Sequence, residues 1–373
     1  MKSFTRILMA VLLAAPAAAH PVDPDPRFPL IQIALLLDTS NSMDGLIGQA
    51  KSQLWRIVND LAGSRCRHRS PRIEVALYEY GNSGLSAGEN YIRQVVPFTN
   101  DLDLVSERLF GLTTNGGEEY CVAVIRDAAR NLAWDRWQGT YKTIFIAGNE
   151  PFTQGGVNFR DAVALAVDKD IVVNTIFCGN RVEGIETRWK EGADRGRGCY
   201  MTINQDRVIT VARSPYDDEI ERLGQALNTT YVGFGVSGSA ARRTQEKADS
   251  MALEAAPAGA AAERSLYKAK PQYSEATSVW DAVTGVLSGR VRMGSIRKDM
   301  PAEYQKMDDK KLEETLKAKA AEREGIQKKL EKLGRDRQDY LSRQASGPED
   351  TLDKAMIQAV RSQAAQKEFV FDN

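Results

Sequence analysis

Residues 31–43, IQIALLLDTSNSM, join a mostly apolar run to a carboxylate that is followed by hydroxyls at alternate positions. A run this continuous fits a strand buried on both faces, as in a parallel sheet covered by helices. Asp38 falls at the carboxyl end of that strand, where open parallel sheets bind their ligands. In an extended turn, residues two apart point the same way, so Asp38, Ser40 and Ser42 can converge with one carboxylate and two hydroxyl oxygens. An oxygen-only set suits a hard divalent cation. The competing reading is that Asp38 or Ser42 caps the helix that begins near Asp44.

The same kind of buried run recurs at 73–80 (IEVALYEY), 143–147 (TIFIA) and 171–177 (IVVNTIF), and 91–96 reads as a hairpin partner after the turn-rich GNSGLSAGEN. Between the runs lie single apolar stripes at helical spacing, Ile47, Ala50, Leu54, Ile57 and Leu61 in one helix and Cys121, Ile125, Ala128 and Leu132 in another. Alternation of this type predicts an α/β fold over 30–235, a doubly wound and mostly parallel sheet with helices on both faces. A helix carrying Ile220, Leu223 and Leu227 and an edge strand at TTYVGFG would close it.

Residues 236–270 are rich in Ala and poor in large apolar side chains, and read as a linker. An α-helical region follows at 271–345. Its Leu312, Leu316, Lys319, Arg323, Ile326, Leu330, Leu333, Arg337 and Tyr340 are spaced alternately by four and three, which is heptad spacing. Lys319, Arg323 and Arg337 interrupt the stripe, and Gly325 and Gly334 each cost about 1 kcal/mol of helix propensity. The pattern predicts a helical hairpin or a partly coiled-coil region able to mediate self-association, or one amphipathic helix packed on its own domain. The tail, 346–373, adds a helix with Leu352, Met356 and Val360.

With 50 basic and 50 acidic residues in 373, no net field draws the chain toward nucleic acid. Residues 1–19 read as a secretory signal peptide, with Lys2 and Arg6 before a short apolar core and Ala17-x-Ala19 at the cut. Export to the periplasm or release from the cell follows, without membrane insertion, since no segment approaches the ~20 apolar residues of a spanning helix. Cys66, Cys121, Cys178 and Cys199 could form two disulfides in three connectivities. Two histidines argue against a zinc site and a histidine triad.

The D-x-S-x-S pattern after the first strand resembles the von Willebrand factor type A (VWA) family, whose metal-ion-dependent adhesion site (MIDAS) begins with it. DTSNSMDGLIGQAKSQLW, IEVALYEYG, LTTNGGEEYC and IFIAGNEPFTQG together are similar to exported bacterial members without an assigned activity. The resemblance covers about 30–235. It implies a bound Mg²⁺, with Mn²⁺ or Ca²⁺ as alternatives, held by Asp38, Ser40, Ser42 and a second-loop threonine, Thr114 or else Thr113. It also implies a binding module in which the cation captures an Asp or Glu carboxylate of a protein partner. The family's third loop normally supplies an aspartate where this chain has Gly148, and Asn149 or Glu150 could reach back instead.

Glu118 and Glu119 open a helix beside this site. They complement its dipole, line the metal rim, or stand in for the absent aspartate. Cys121 and Cys178 would lie on the same face, so a Cys121 to Cys178 bridge could brace it. Two other functions compete with the binding module: a metal-free scaffold that binds through its helical region, and a metal-assisted hydrolase using Glu118, Glu119 or Glu150 as base.

Overall fold

The computed structural model describes residues 28–204, 213–254, 259–344 and 352–371. Residues 1–19, read above as a signal peptide, lie outside them. Six strands, β1 (Leu30–Asp38), β2 (Arg72–Tyr80), β3 (Ile92–Thr99), β4 (Tyr141–Gly148), β5 (Val172–Cys178) and β6 (Arg197–Ile203), form one sheet in the order β3-β2-β1-β4-β5-β6. β3 is antiparallel to β2, and the other pairs are parallel. Chain direction across the sheet reverses between β1 and β4. That opens a crevice beyond their carboxyl ends, next to Asp38.

Strand periodicity sorts β1 between two cores. Ile31, Ile33, Leu35 and Leu37 share a core with helices α1 (Asp44–Ala62) and α2 (Leu102–Phe110), while Ala34 and Leu36 face α3 (Cys121–Asn131) and α4 (Phe159–Asp168). The expected strands, the hairpin partner and both helical stripes are present. Strand β6 carries no apolar run, because as an edge strand it is mostly half-buried. The TTYVGFG segment is not a strand: Gly233 makes one isolated bridge to Asp281, and helix α5 (Asp217–Asn228) precedes it.

The stretch read as a linker is helical instead. It contains α6 (Gly235–Glu254) and α7 (Ala260–Lys268), and α7 lies against α1 and α5. Its alanines do not deny it a core; they let the backbone approach a core that α1 supplies. Tyr267 stacks on Trp55 with ring centroids 5.4 Å apart, and Asn59 Nδ2 donates to the Glu263 carbonyl at 2.8 Å. Polar groups brought inside are paired: Arg264 lies 2.8 Å from Asp103, and Lys268 Nζ donates to Asp249 at 2.7 Å and to the Gly224 carbonyl at 2.8 Å.

The heptad stripe lies on a single helix, α8 (Asp309–Gln344), and its members face the chain's own elements. Leu312 and Leu316 enter a small core with Val232 and Val283, and Ile326 and Leu330 join the main one. Each charged interruption has a partner waiting. Lys319 Nζ donates to the Thr229 carbonyl at 2.8 Å, Arg323 pairs with Asp281 at 2.8 Å and lies over the Tyr231 ring, and Arg337 pairs with Asp217 at 2.9 Å. The tail helix α9 (Leu352–Ala364) also docks on α1, where Gln53 Oε1 accepts from the Asp353 amide at 2.8 Å. Phe369 and Val370 then pair with Cys66 and Arg65.

The helical region is therefore needed to cover α1. A chain truncated after Gly235 is expected to lose cooperative thermal unfolding by circular dichroism, because Trp55 and its neighbours would face water. Arg323→Ala strands Asp281, which is 0% exposed, and should cost about 3–5 kcal/mol in urea denaturation. A loss under 1 kcal/mol would contradict the assignment of that ion pair to the interior.

Candidate metal-binding site

Asp38 ends β1 wholly buried, with its Oδ1 accepting from the Ser40 amide at 2.8 Å. A 3-10 turn (Asn41–Met43) then leads into α1. Neither serine caps that helix: no side-chain capping bond is made at the start of the turn or of α1. The two hydroxyls lie 3.3 Å from each other instead, and Asn149 Nδ2 donates to Ser42 Oγ at 3.2 Å. The alternating pattern thus gathers three polar side chains over the end of the strand and leaves the helix terminus uncapped.

The second loop is tied to the first through its backbone. The Asn115 amide donates to the Thr39 carbonyl at 3.0 Å, and the Ser83 amide to the Gly116 carbonyl at 2.7 Å. Thr114 donates its hydroxyl to Asp44, the first residue of α1, rather than to Asp38. Thr113 is exposed, and its carbonyl accepts from Asn82 Nδ2 at 2.9 Å. Asp44 was not singled out in the sequence, although its place six residues after Asp38, at the start of a helix beside the crevice, was a usable signal.

The two glutamates of GGEEYC separate sharply. Glu118 is exposed, whereas Glu119 is 8% exposed and lies with Asp38 against Gly81. Gly81, at φ +80°, makes room for the pair: a Cβ there would lie 2.8 Å from Asp38 Oδ1 and 2.9 Å from Glu119 Cγ. Burial, and next the Glu119 charge, push the Asp38 carboxyl well above the ordinary carboxylate range. Burial also raises Glu119.

The third loop differs from the family pattern for a steric reason. A Cβ at Gly148 would run into the Tyr80 hydroxyl and lie 3.1 Å from Asp38 Oδ2 and 3.3 Å from the Trp189 ring. Tyr80, which donates to the Ala147 carbonyl at 2.9 Å, fills the space that a side chain at 148 would need. Glu150 is exposed; its carbonyl accepts from Trp189 Nε1 at 2.8 Å. The expected Cys121 to Cys178 bridge is not formed. Both thiols are free and buried, and that of Cys121 is turned to the Phe152 carbonyl at 3.8 Å.

Do these residues suit a cation? Asp38 Oδ2, Glu119 Oε2 and Asn149 Oδ1 are all buried without a hydrogen-bond partner. Such atoms ordinarily find one, and a divalent ion beside Asp38 would supply one to the carboxylates there. Among the described residues no group of three or more His, Cys, Asp or Glu could hold a metal. The donors gathered here are two carboxylates, two hydroxyls and an amide, a set suited to a hard ion.

The mostly parallel sheet, its antiparallel edge and the D-x-S-x-S loop at the switch point form a doubly wound α/β fold of the kind the VWA resemblance implies. A scan against protein-family models finds no match, and no curated protein matches. Among solved structures, the chain is similar to the conserved hypothetical protein BatB from Bacteroides thetaiotaomicron, at 17% identity over 46% of this chain and 90% of that one, with a TM-score of 0.35. It is similar to the SpRpn10 VWA domain at 13% identity, over 46% of this chain and 87% of that one, with a TM-score of 0.34. A third likeness is to proximal thread matrix protein 1 of the mussel byssus, solved with a zinc-occupied MIDAS motif, at 12% identity over 48% and 42% of the two chains and a TM-score of 0.35.

Restoring the family's aspartate by Gly148→Asp should overpack the crevice and destabilise the protein by about 1–3 kcal/mol in urea denaturation. Unchanged or increased stability would show that Tyr80 does not close this position.

Proposed function

We propose that the protein is an exported, metal-dependent protein-binding module. Asp38, Ser40 and Ser42 hold a divalent cation, Mg²⁺ in the first instance, with Mn²⁺ or Ca²⁺ as alternatives, and Thr114 steadies the rim through Asp44. The observation that carries this reading is Asp38 itself: a carboxylate buried at the switch point, with one oxygen unpartnered, below two serine hydroxyls that serve no helix cap. The bound cation would supply a concentrated positive charge able to attract a partner's carboxylate. The chain's own groups set the rest, orienting Asp38 through the Ser40 amide and walling its lower side from water with Tyr80 and Trp189.

Exposed Glu118 and Glu150 stand beside the crevice, so an acidic partner would meet repulsion unless basic groups flank its carboxylate. A partner segment with one Asp or Glu between Lys or Arg residues fits best. Export rests on the signal-like residues 1–19, and among the described residues no helix is long and apolar enough to cross a membrane.

An array of peptides with Asp, Glu, Asn or Gln between basic residues tests this reading. Binding to the Asp and Glu peptides in Mg²⁺ should be lost with chelator and in Asp38→Ala. Equal binding after both treatments contradicts it.

A further inference from the structure

We infer that Glu119, from the second loop, is the direct metal ligand that takes over the role left vacant at Gly148, and that Glu150 is not. This rests on the metal-binding reading of the Asp38 site and goes beyond it by naming the second anionic ligand. Two independent features of the crevice lead there.

The first is exclusion at the third loop. Tyr80 and Trp189 occupy the space around Gly148, so β4 delivers no side chain from that position. Glu150, two residues on, has its backbone held by Trp189 and its side chain exposed.

The second is provision from the other side. Glu119 is more than nine-tenths buried, its Oε2 has no hydrogen-bond partner, and its side chain lies with the Asp38 carboxylate against Gly81. A glutamate placed only to complement the α3 dipole would sit in water, as Glu118 does. Two carboxylates buried side by side repel each other unless a positive charge lies between them. Asp38 and Glu119 together neutralise a divalent ion, and Ser40 and Ser42 add neutral oxygens, which completes a set appropriate to Mg²⁺ or Mn²⁺.

The test is calorimetric titration of the metal-free protein with Mg²⁺ and with Mn²⁺, alongside thermal melting with and without metal, for wild type, Asp38→Ala, Glu119→Gln and Glu150→Gln. Glu119→Gln keeps shape and removes repulsion, so its melting temperature without metal should equal or exceed that of wild type. Its metal affinity should fall at least ten-fold and its metal-induced melting shift should vanish, as in Asp38→Ala, while Glu150→Gln stays within about two-fold of wild type. Wild-type affinity in Glu119→Gln, or a ten-fold loss in Glu150→Gln, overturns the Glu119 assignment alone. Absence of any metal response in wild type overturns the metal reading of the site together with it.

Discussion

A carboxylate withdrawn from water must be compensated, and most of what surrounds the crevice is arranged around that demand at Asp38. The strand ends at the point where the sheet's direction of growth reverses, and the adjacent turn offers Asp38 the backbone amide of Ser40. One charge-assisted hydrogen bond offsets a few kcal/mol at most, well short of the cost of burying an ionised group. Adding Glu119 beside it makes the deficit larger. An arrangement of this kind persists where a cation or a shared proton makes up the difference, and the clustered serine oxygens favour the cation.

The rest of the molecule holds the crevice in place. Helix α1 begins directly above the site and is buried on several sides, against the sheet, α7 and α9. The C-terminal helices α7 and α9 pack on it, and so stiffen the element that follows directly on the serine-bearing 3-10 turn. The buried pairs of Arg323 with Asp281 and Arg337 with Asp217 fix the register of the long helix α8 on that assembly. They bring specificity rather than much net stability, since desolvation offsets most of their attraction.

Much of this was legible in the sequence because burial leaves a pattern. Strands covered on both faces read as continuous apolar runs, and the D-x-S-x-S loop announced its own convergence. The edge strand β6 was not legible, since half its side chains need not be apolar, and the helices of 236–270 were hidden because their core is borrowed from Trp55 and its neighbours on α1. Heptad spacing in α8 gave the helix correctly but not its partner, since periodicity says which face is buried and not against what. At the site, Asp38, Ser40 and Ser42 were marked by spacing and Asn149 by the family resemblance, and the four come together. The difference between Glu118 and Glu119 was not, because adjacent identical residues at a helix start are distinguished only by the direction in which the loop turns.

The most direct measurement is a crystal structure grown with Mn²⁺, using its anomalous scattering to place the ion. One strong peak is expected in contact with the Asp38 and Glu119 carboxylates and the serine hydroxyls, with Glu150 apart from it. Ordered carboxylates hydrogen-bonded directly to each other, with no anomalous density between them at saturating Mn²⁺, would contradict it.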